Sequence, residues 1–315
     1  MNYSSATEFY FLGFPGSKEL RNILFATFFF FYSVSLIGNM VIVFMVCIDK
    51  RLQSPMYFFL GHLSDLEMLT TTVTVPLMLW GLLLPGMLVV SLTACCTQLY
   101  LYLSLGTLEL LLFAPMAVDR FMAVCNPLRY TVIMNSHTCL WVVIASWVFG
   151  FLFEIWPVYA TFHLTFCKSN VLDHFYCDGG QLFKLSCDKG RFTELMLFLM
   201  SIFVLFGSLM PTIISYTYII STILKIPSGS HRWKTVSTCA SHFTCVVIGY
   251  SSSLFLYVKQ PNTGSWVQQS GITDGFNGEP FSEPFYLHPL EWQIHRGVSR
   301  CHEKLLPTPQ GLAMS

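Results

Sequence analysis

Residues 116 to 130 read MAVDRFMAVCNPLRY, and this stretch constrains the fold more than any other part of the chain. It opens in an apolar segment and places the charged pair Asp119 and Arg120, followed by Phe121, where that segment ends. Charged side chains at membrane depth are costly and usually mark a functional site, although those at a helix end can also reach water. Pro115 lies just before the stretch, and a proline inside a helix removes a backbone hydrogen bond there.

The composition around this stretch is that of a membrane protein. Of 315 residues, 54% are hydrophobic and 11% are charged, and the mean hydropathy is +0.58. Soluble domains average about 25% charged residues. The formal net charge is zero, which gives no reason to expect a nucleic-acid partner. The histidines are scattered and no nucleophile-base pairing is indicated, so no enzyme activity is predicted.

Six apolar segments are each long enough to cross a bilayer, which takes about 20 residues. We predict an all-α membrane protein with a short N-terminus at 1–21, a helical bundle at 22–258 and a long polar loop at 161–192. The predicted spans are about 22–48, 56–84, 92–124, 139–160, 193–224 and 235–258. Residues 259–315 have no apolar run near spanning length and form an atypical tail, predicted to be disordered.

Further motifs stand in a fixed order on both sides of residues 116 to 130. They are the pair Gly38-Asn39, LQSPMYFFL at 52–60, LSDLE at 63–67, the pair Ser215-Tyr216 and KTVSTCASH at 234–242. In this order and spacing, roughly residues 8 to 259 resemble the olfactory receptors, a family of rhodopsin-like G-protein-coupled receptors. In that family the opening stretch commonly reads MAYDRYVAICxPLxY, so Val118 and Phe121 here replace tyrosines.

The resemblance implies a rhodopsin-like helical bundle that binds a small volatile odorant and activates a heterotrimeric G protein of the stimulatory olfactory type. It also implies that Asp119, Arg120 and Phe121 form the G-protein switch, in which Asp119 holds Arg120 in the inactive state. Tyr250 falls where the sixth helix of the family carries an aromatic switch. A transporter or channel is the rival class, but the chain has no internal repeats or paired broken helices to support it.

Helical spacing predicts the ligand pocket. Counting back from Arg120 in steps of three and four reaches one face of the third span, in the half remote from the Asp-Arg pair. Residues at a similar depth in the membrane can then be chosen on the fifth and sixth spans. Apolar walls with a few hydroxyl groups suit a small, weakly polar ligand, although ordinary helix packing explains the same pattern. The predicted pocket residues are Tyr102, Leu103, Gly106, Thr107, Met200, Val204, Tyr250, Ser253 and Tyr257.

Two acidic residues, Glu67 and Glu109, lie inside apolar spans. A buried carboxylate is expensive and often marks an ion or proton site, whereas a protonated glutamate bonded to nearby backbone is the structural alternative. The resemblance places both residues, together with Asn39, in a polar cluster of the sodium-site type. No cofactor and no bound structural metal are predicted.

The cysteines of the polar loop indicate an oxidising environment outside the cytosol. The resemblance pairs Cys95 with Cys177 and Cys167 with Cys187, whereas the sequence alone allows three pairings of four cysteines. Cys96 is adjacent to Cys95, which blurs that assignment. A zinc site with nearby Asp173 and His174 is the alternative, but the spacing fits no standard ligand pattern.

The orientation follows from charges and from a glycosylation sequon. Basic residues in alternate loops favour the cytosolic side, and Asn2-Tyr3-Ser4 is an acceptor site for N-glycosylation at Asn2. With the cysteine-rich loop on the same side, we predict a multi-pass protein of the plasma membrane with its N-terminus outside.

The tail contains PFSEPFYLHPLEW at 280–292, where the resemblance would place a seventh helix carrying PxLNPxIY. This string can be encoded by a set of codons that, when translated from the second base instead of the first, gives PFLNPFIFTLWN. That translation is close to the missing motif. We therefore hypothesise a change of reading frame between about Lys259 and Glu279. The alternative function is then a non-signalling product without a seventh helix, retained in the endoplasmic reticulum and unresponsive to odorants.

Overall fold

The protein is described by a computed structural model, and the description covers residues 8–11, 17–49, 54–84, 86, 88–166, 170–172, 176–187, 191–225, 239–240, 243–244 and 246–251. Within these ranges the chain is mostly helical. The elements in chain order are β1 (Glu8–Phe11), α1 (Lys18–Ile48), α2 (Pro55–Leu83), β2 (Leu88–Ser91), α3 (Leu92–Cys125), α4 (Pro127–Ile133), α5 (Ser136–Phe153), α6 (Ile155–Phe162), β3 (Val171–Leu172), α7 (Gly179–Leu185) and α8 (Arg191–Lys225).

Five stretches of the described chain are long and apolar enough to cross a membrane. They are α1, α2, α3, the combined stretch Ser136–Phe162 that contains α5 and α6, and the stretch Phe192–Lys225 within α8. Of the predicted sixth span, residues 239–240, 243–244 and 246–251 are described and helical. The predicted all-α membrane class is confirmed. The tail at 259–315, with its predicted disorder and its reading-frame hypothesis, lies outside the described residues.

The first helix begins at Lys18, ahead of the predicted start at residue 22. Ser17 is its N-cap, and the side-chain hydroxyl accepts a hydrogen bond from the amide of Leu20. Glu19 adds a negative charge in the first turn, which favours a helix N-terminus. These polar residues precede the apolar run, so hydropathy alone places the helix start too late.

α3 is the central helix of the described bundle. Its side chains Leu108, Leu112, Phe113 and Ala117 are at most 1% exposed, and the helix packs against α2, α5 and α8. The outer helices instead turn large apolar side chains outward, as expected where lipid replaces water. α3 therefore lies between the other helices of the described bundle.

The fourth span is interrupted at Glu154, between α5 and α6. Pro157 explains the interruption, because its ring nitrogen cannot donate to the carbonyl of Phe153 and its ring crowds the preceding turn. Tyr100 of α3 donates a 2.9 Å hydrogen bond to the carbonyl oxygen of Phe151, which ties the end of α5 to the centre of the bundle.

A three-stranded sheet of order β2-β1-β3 covers one end of the bundle. β1 pairs antiparallel with β2 and parallel with β3, and its side chains Phe9 and Phe11 are 0% and 3% exposed. They pack with Cys95, Cys177 and Leu99. We call this the disulfide end of the bundle. These segments were predicted to lie in the N-terminus and in loops, because strands of two to four residues leave little hydrophobic pattern.

Candidate functional site

The predicted switch lies near the opposite end of α3, around a fully buried carboxyl group. Asp119 is 0% exposed, and its Oδ2 lies 3.1 Å from Nη2 of Arg120, whose side chain is 14% exposed. The two charges compensate each other where neither is well hydrated. Arg120 Nε is also buried and has no hydrogen-bond partner within the described residues. In this arrangement the Arg120 guanidinium is held by its ion pair with Asp119.

Tyr130 completes the group, and it was not among the predicted switch residues. It lies on α4, a short helix that was not predicted, and its hydroxyl donates a 2.8 Å hydrogen bond to Asp119 Oδ1. Burial, reinforced by the neighbouring Asp119 charge, raises the pKa of Tyr130, so the phenol stays a neutral donor at physiological pH. Tyr130 closes the predicted family stretch, which was the available signal for its role.

Phe121 takes no part in the ion pair itself. Its ring lies 5.7 Å from the ring of Tyr218 on α8, and it packs beside a buried cluster of Ala117, Tyr216 and Ile219. The residue after the Asp-Arg pair therefore links α3 to α8 through an aromatic contact. A shift of α8 would therefore change the packing of Phe121, directly next to Arg120.

Tyr250 lies deeper in the bundle, where the sixth span crosses α3. It is 4% exposed, its ring centroid lies 5.6 Å from that of Phe113, and its hydroxyl is 3.4 Å from Thr212 Oγ1 on α8. The crossing is close, because a Cβ added to Gly249 would lie 2.6 Å from the Phe113 ring. Tyr250 therefore connects the sixth span to α3 and α8, nearer the centre of the bundle than Asp119 and Arg120.

The structure distributes the predicted pocket residues among several neighbourhoods. Val204 and Tyr250 belong to the central apolar cluster, and Leu103 packs toward the disulfide end. Met200 and Gly106 are half-buried on α8 and α3. Ser253 and Tyr257 lie outside the described residues. An open apolar groove of about 460 Å³ lies on the outer face of the fourth span, lined by Ala145, Val148, Phe149, Leu152 and Phe153.

Tyr102 meets a loop residue that sequence reasoning missed. Tyr176, next to the disulfide, is 5% exposed and packs among Phe28, Met78 and Leu79 of the first two spans. The Tyr102 and Tyr176 ring centroids are 5.3 Å apart. Burial first, and the nearby Tyr102 next, raise the pKa of Tyr176. The loop thus inserts an aromatic side chain into the bundle beside a predicted pocket residue.

Thr107 faces a second residue that was missed. Its hydroxyl donates a 2.6 Å hydrogen bond to Oε1 of Glu154, at the break in the fourth span. Each of these two residues is 7% exposed. Glu154 is an acid inside an apolar segment, like Glu67 and Glu109, so the same signal could have found it.

The Cys95–Cys177 disulfide is present, so the predicted pairing is confirmed and Cys96 is free. Gln98 holds the bonded loop in place. Its Oε1 accepts from the Cys177 amide at 3.1 Å, and its Nε2 donates to the Val73 carbonyl of α2 at 2.9 Å.

The remaining predicted sites are only partly described. Cys187 is disulfide-bonded, but its predicted partner Cys167 lies outside the described residues, as do Asp173, His174 and Asn2. Asn39 is buried and donates to the Ser35 carbonyl of its own helix at 3.1 Å. Glu67 and Glu109 are half-buried on α2 and α3. The sodium-type cluster remains a prediction.

Comparison with known proteins first defines the class. The structure of squid rhodopsin matches with a TM-score of 0.61, covering 95% of this chain and 80% of that one at 16% sequence identity. A likeness at this identity shows the fold, which is the rhodopsin-like helical bundle.

Sequence relatives then define the family. A family model described as "Olfactory receptor" matches residues 28–264. Human Olfactory receptor 9A4 is 71% identical, and human Olfactory receptor 9A2 is 67% identical, each covering 96% of this chain and 98% of the relative. The chain belongs to the olfactory receptor family. It is a multi-pass membrane receptor rather than an enzyme, and the family implies odorant ligands and coupling to a G protein.

Proposed function

We propose that this receptor binds a small volatile odorant between α3, α8 and the sixth span, and signals through a heterotrimeric G protein of the stimulatory olfactory type. It acts in the plasma membrane with its N-terminus outside the cell. The G protein engages the end of the bundle that carries Asp119 and Arg120.

The group around Asp119 carries this proposal. The carboxyl group is fully buried, pairs with Arg120 and accepts a hydrogen bond from Tyr130. The Asp119 carboxyl group therefore stabilises one position of the Arg120 guanidinium, whose Nε has no hydrogen-bond partner among the described residues. Release of Arg120 would present a charged donor at the bundle end, which is what a switch requires.

The chain of contacts above Asp119 supports coupling to a ligand. Tyr250 contacts Phe113 on α3 and Thr212 on α8, and Phe121 contacts Tyr218 on α8. A ligand that moves the sixth span or α8 would therefore alter packing at two positions along α3, at Phe113 and at Phe121. A ligand shifts a conformational equilibrium only through such differential contacts.

The disulfide end supports the orientation. Disulfides form and persist in oxidising compartments, and Cys95–Cys177 lies where β1 packs on the bundle. The N-terminal strand and the disulfide thus share one face. That face is the outer one in the proposed topology, and the switch then faces the cytosol.

Two measurements test the proposal. Cyclic AMP is measured in cells that carry the receptor with either a stimulatory or an inhibitory Gα subunit, during exposure to a panel of volatile odorants. A rise that needs the stimulatory subunit supports the proposal, and a response only through the inhibitory subunit contradicts it. An epitope placed before Asn2 should be labelled by antibody on intact cells, whereas labelling only after permeabilisation contradicts the orientation.

A further inference from the structure

Thr107 of α3 and Glu154 of the fourth span form a polar pair inside the membrane-spanning bundle. The Thr107 hydroxyl donates to Glu154 Oε1 at 2.6 Å, and both residues are 7% exposed. Acidic side chains within spans are rare because removing a carboxylate from water is expensive. When present, they generally face the bundle interior and serve a function.

The surrounding structure fixes the position of Glu154. It is the residue at which α5 ends and α6 begins, and the hydrogen bond from Tyr100 to the Phe151 carbonyl holds the end of α5 against α3. One turn earlier, a Cβ added to Gly150 would lie 2.8 Å from Leu108 Cγ, so the two helices are in close contact. The backbone that carries Glu154 is therefore held close to α3.

Thr107 engages only part of the hydrogen-bonding capacity of Glu154. A carboxylate has two oxygens with about four acceptor sites, and a threonine hydroxyl supplies one proton. Among the described residues, Thr107 is the hydrogen-bond partner of the Glu154 side chain. A further donor would offset the cost of burying this group, so the site favours a ligand that brings one.

The pair also adjoins the predicted pocket. Gly106 is the neighbour of Thr107 on α3, and apart from its chain neighbours and the nearby backbone of α3, no described atom lies within 4 Å of a Cβ built on it. Leu108, on the other side of Thr107, packs in the same apolar cluster as Val204 of α8. Among the described residues, the polar pair thus has open space next to Gly106 on one side and apolar packing next to Leu108 on the other.

We propose that Glu154, oriented by Thr107, is the polar anchor for odorants whose head group donates a hydrogen bond, namely volatile alcohols and primary amines. This inference rests on the proposed odorant-binding function and specifies its ligand class. The apolar tail of the odorant lies toward Gly106 and Val204, and the head group donates to the Glu154 carboxyl. Carboxylic acids, which are anions without a donor proton at neutral pH, cannot donate to this carboxyl group and should bind least.

The test measures binding of defined probes to the purified full-length receptor in lipid nanodiscs. The probes are straight-chain primary amines, alcohols, alkanes and carboxylic acids of matched length, and the readout is thermal stabilisation as a function of probe concentration. The variants are Glu154→Gln, which keeps the shape and the bond from Thr107, and Glu154→Met, which keeps the length without oxygens. Thr74→Val is the control, because Thr74 is also buried but bonds within α2.

Wild-type receptor should bind amines and alcohols more tightly than alkanes, and acids least. Glu154→Gln should weaken amine binding about 10- to 100-fold while sparing alcohols, and Glu154→Met should weaken both. Thr74→Val should leave the ranking unchanged. If wild-type receptor binds alkanes as tightly as the matched alcohols and amines, the inference is wrong, and this holds even if a Glu154 variant fails to fold.

Failure of this inference is distinguishable from failure of the proposed function. Cyclic AMP responses to odorants that do not depend on their head group would refute the Glu154 anchor and leave the receptor function intact. Tight binding of amines and alcohols without any cyclic AMP response would support the anchor and refute the signalling function.

Discussion

Tyr130 Oη donates a 2.8 Å hydrogen bond to Oδ1 of Asp119, the carboxyl group whose Oδ2 lies 3.1 Å from Arg120 Nη2. One buried carboxyl group therefore connects α4 to the end of α3. Because this carboxyl group accepts a hydrogen bond from Tyr130 and forms an ion pair with Arg120, the position of the Arg120 guanidinium depends on a tyrosine outside the membrane spans.

Replacing Tyr130 by phenylalanine should raise signalling without ligand. Hydrogen bonds to charged groups contribute about 1.5–3 kcal/mol, so losing this one should raise basal cyclic AMP by roughly tenfold per surface receptor. Tyr159→Phe is the control, since Tyr159 is exposed on α6 and far from Asp119 in sequence. Basal signalling equal to that of wild type would mean that Tyr130 does not stabilise the inactive pair.

Replacing Cys177 by serine should destabilise the receptor strongly. The Cys95–Cys177 bond joins residues 82 apart in the chain, and closing so long a loop contributes about 4 kcal/mol in the chain-entropy model. Surface labelling and heat denaturation of the solubilised receptor should both show the loss. Cys96→Ser is the matched control because Cys96 is adjacent but free. Similar losses in the two variants would contradict the assigned pairing.

Replacing Gly150 by alanine should disturb the contact between α3 and α5. The added Cβ would lie 2.8 Å from Leu108 Cγ and 3.4 Å from the Ser104 carbonyl oxygen, and Leu108 is fully buried. Overpacking of this kind costs about 1–3 kcal/mol. Gly81→Ala, where an added Cβ would meet no atom within 4 Å apart from its chain neighbours and the nearby backbone of α2, should be neutral or stabilising in heat denaturation. Equal stability of the two variants would contradict the close packing.

The nucleotide sequence after codon 259 tests the reading-frame hypothesis. If a base was gained or lost there, reading the codons of Pro280 to Trp292 one base later should give an Asn-Pro motif close to PFLNPFIFTLWN. Any other translation would remove the reason to expect a non-signalling product. This test needs no structural information on the tail.

Much of the bundle followed from the sequence because membrane spans obey simple rules of length and polarity. The apolar runs and the ordered motifs around Asp119 and Arg120 predicted the class and the family. Short segments did not follow: β1 is four residues long, and its two buried phenylalanines alternate too briefly to indicate a strand. α4 was missed because its seven residues are too few for a clear helical period.

The site was predictable where one residue type carried a strong signal, and otherwise only in part. The Cys95–Cys177 bond followed from the family resemblance, whereas Tyr176 lay in a polar loop and gave no sign that it packs inside the bundle. Helical spacing put Thr107 on an inward face, but the contact with Glu154 lies at the break between α5 and α6, which spacing on one helix does not reveal. Contacts between two spans depend on how the helices are arranged in space, which the periodicity of each single helix does not determine.

The most direct test of the account is the odorant response of receptor at the cell surface, compared between wild type and Arg120→Gln. Arg120→Gln removes the guanidinium that Asp119 holds, and surface labelling normalises the amounts of the two proteins. We predict a concentration-dependent rise in cyclic AMP for wild type and none for the variant, with odorant binding retained by both. An equal response in the two proteins, or no response to any odorant from wild-type receptor present at the surface, would contradict the account.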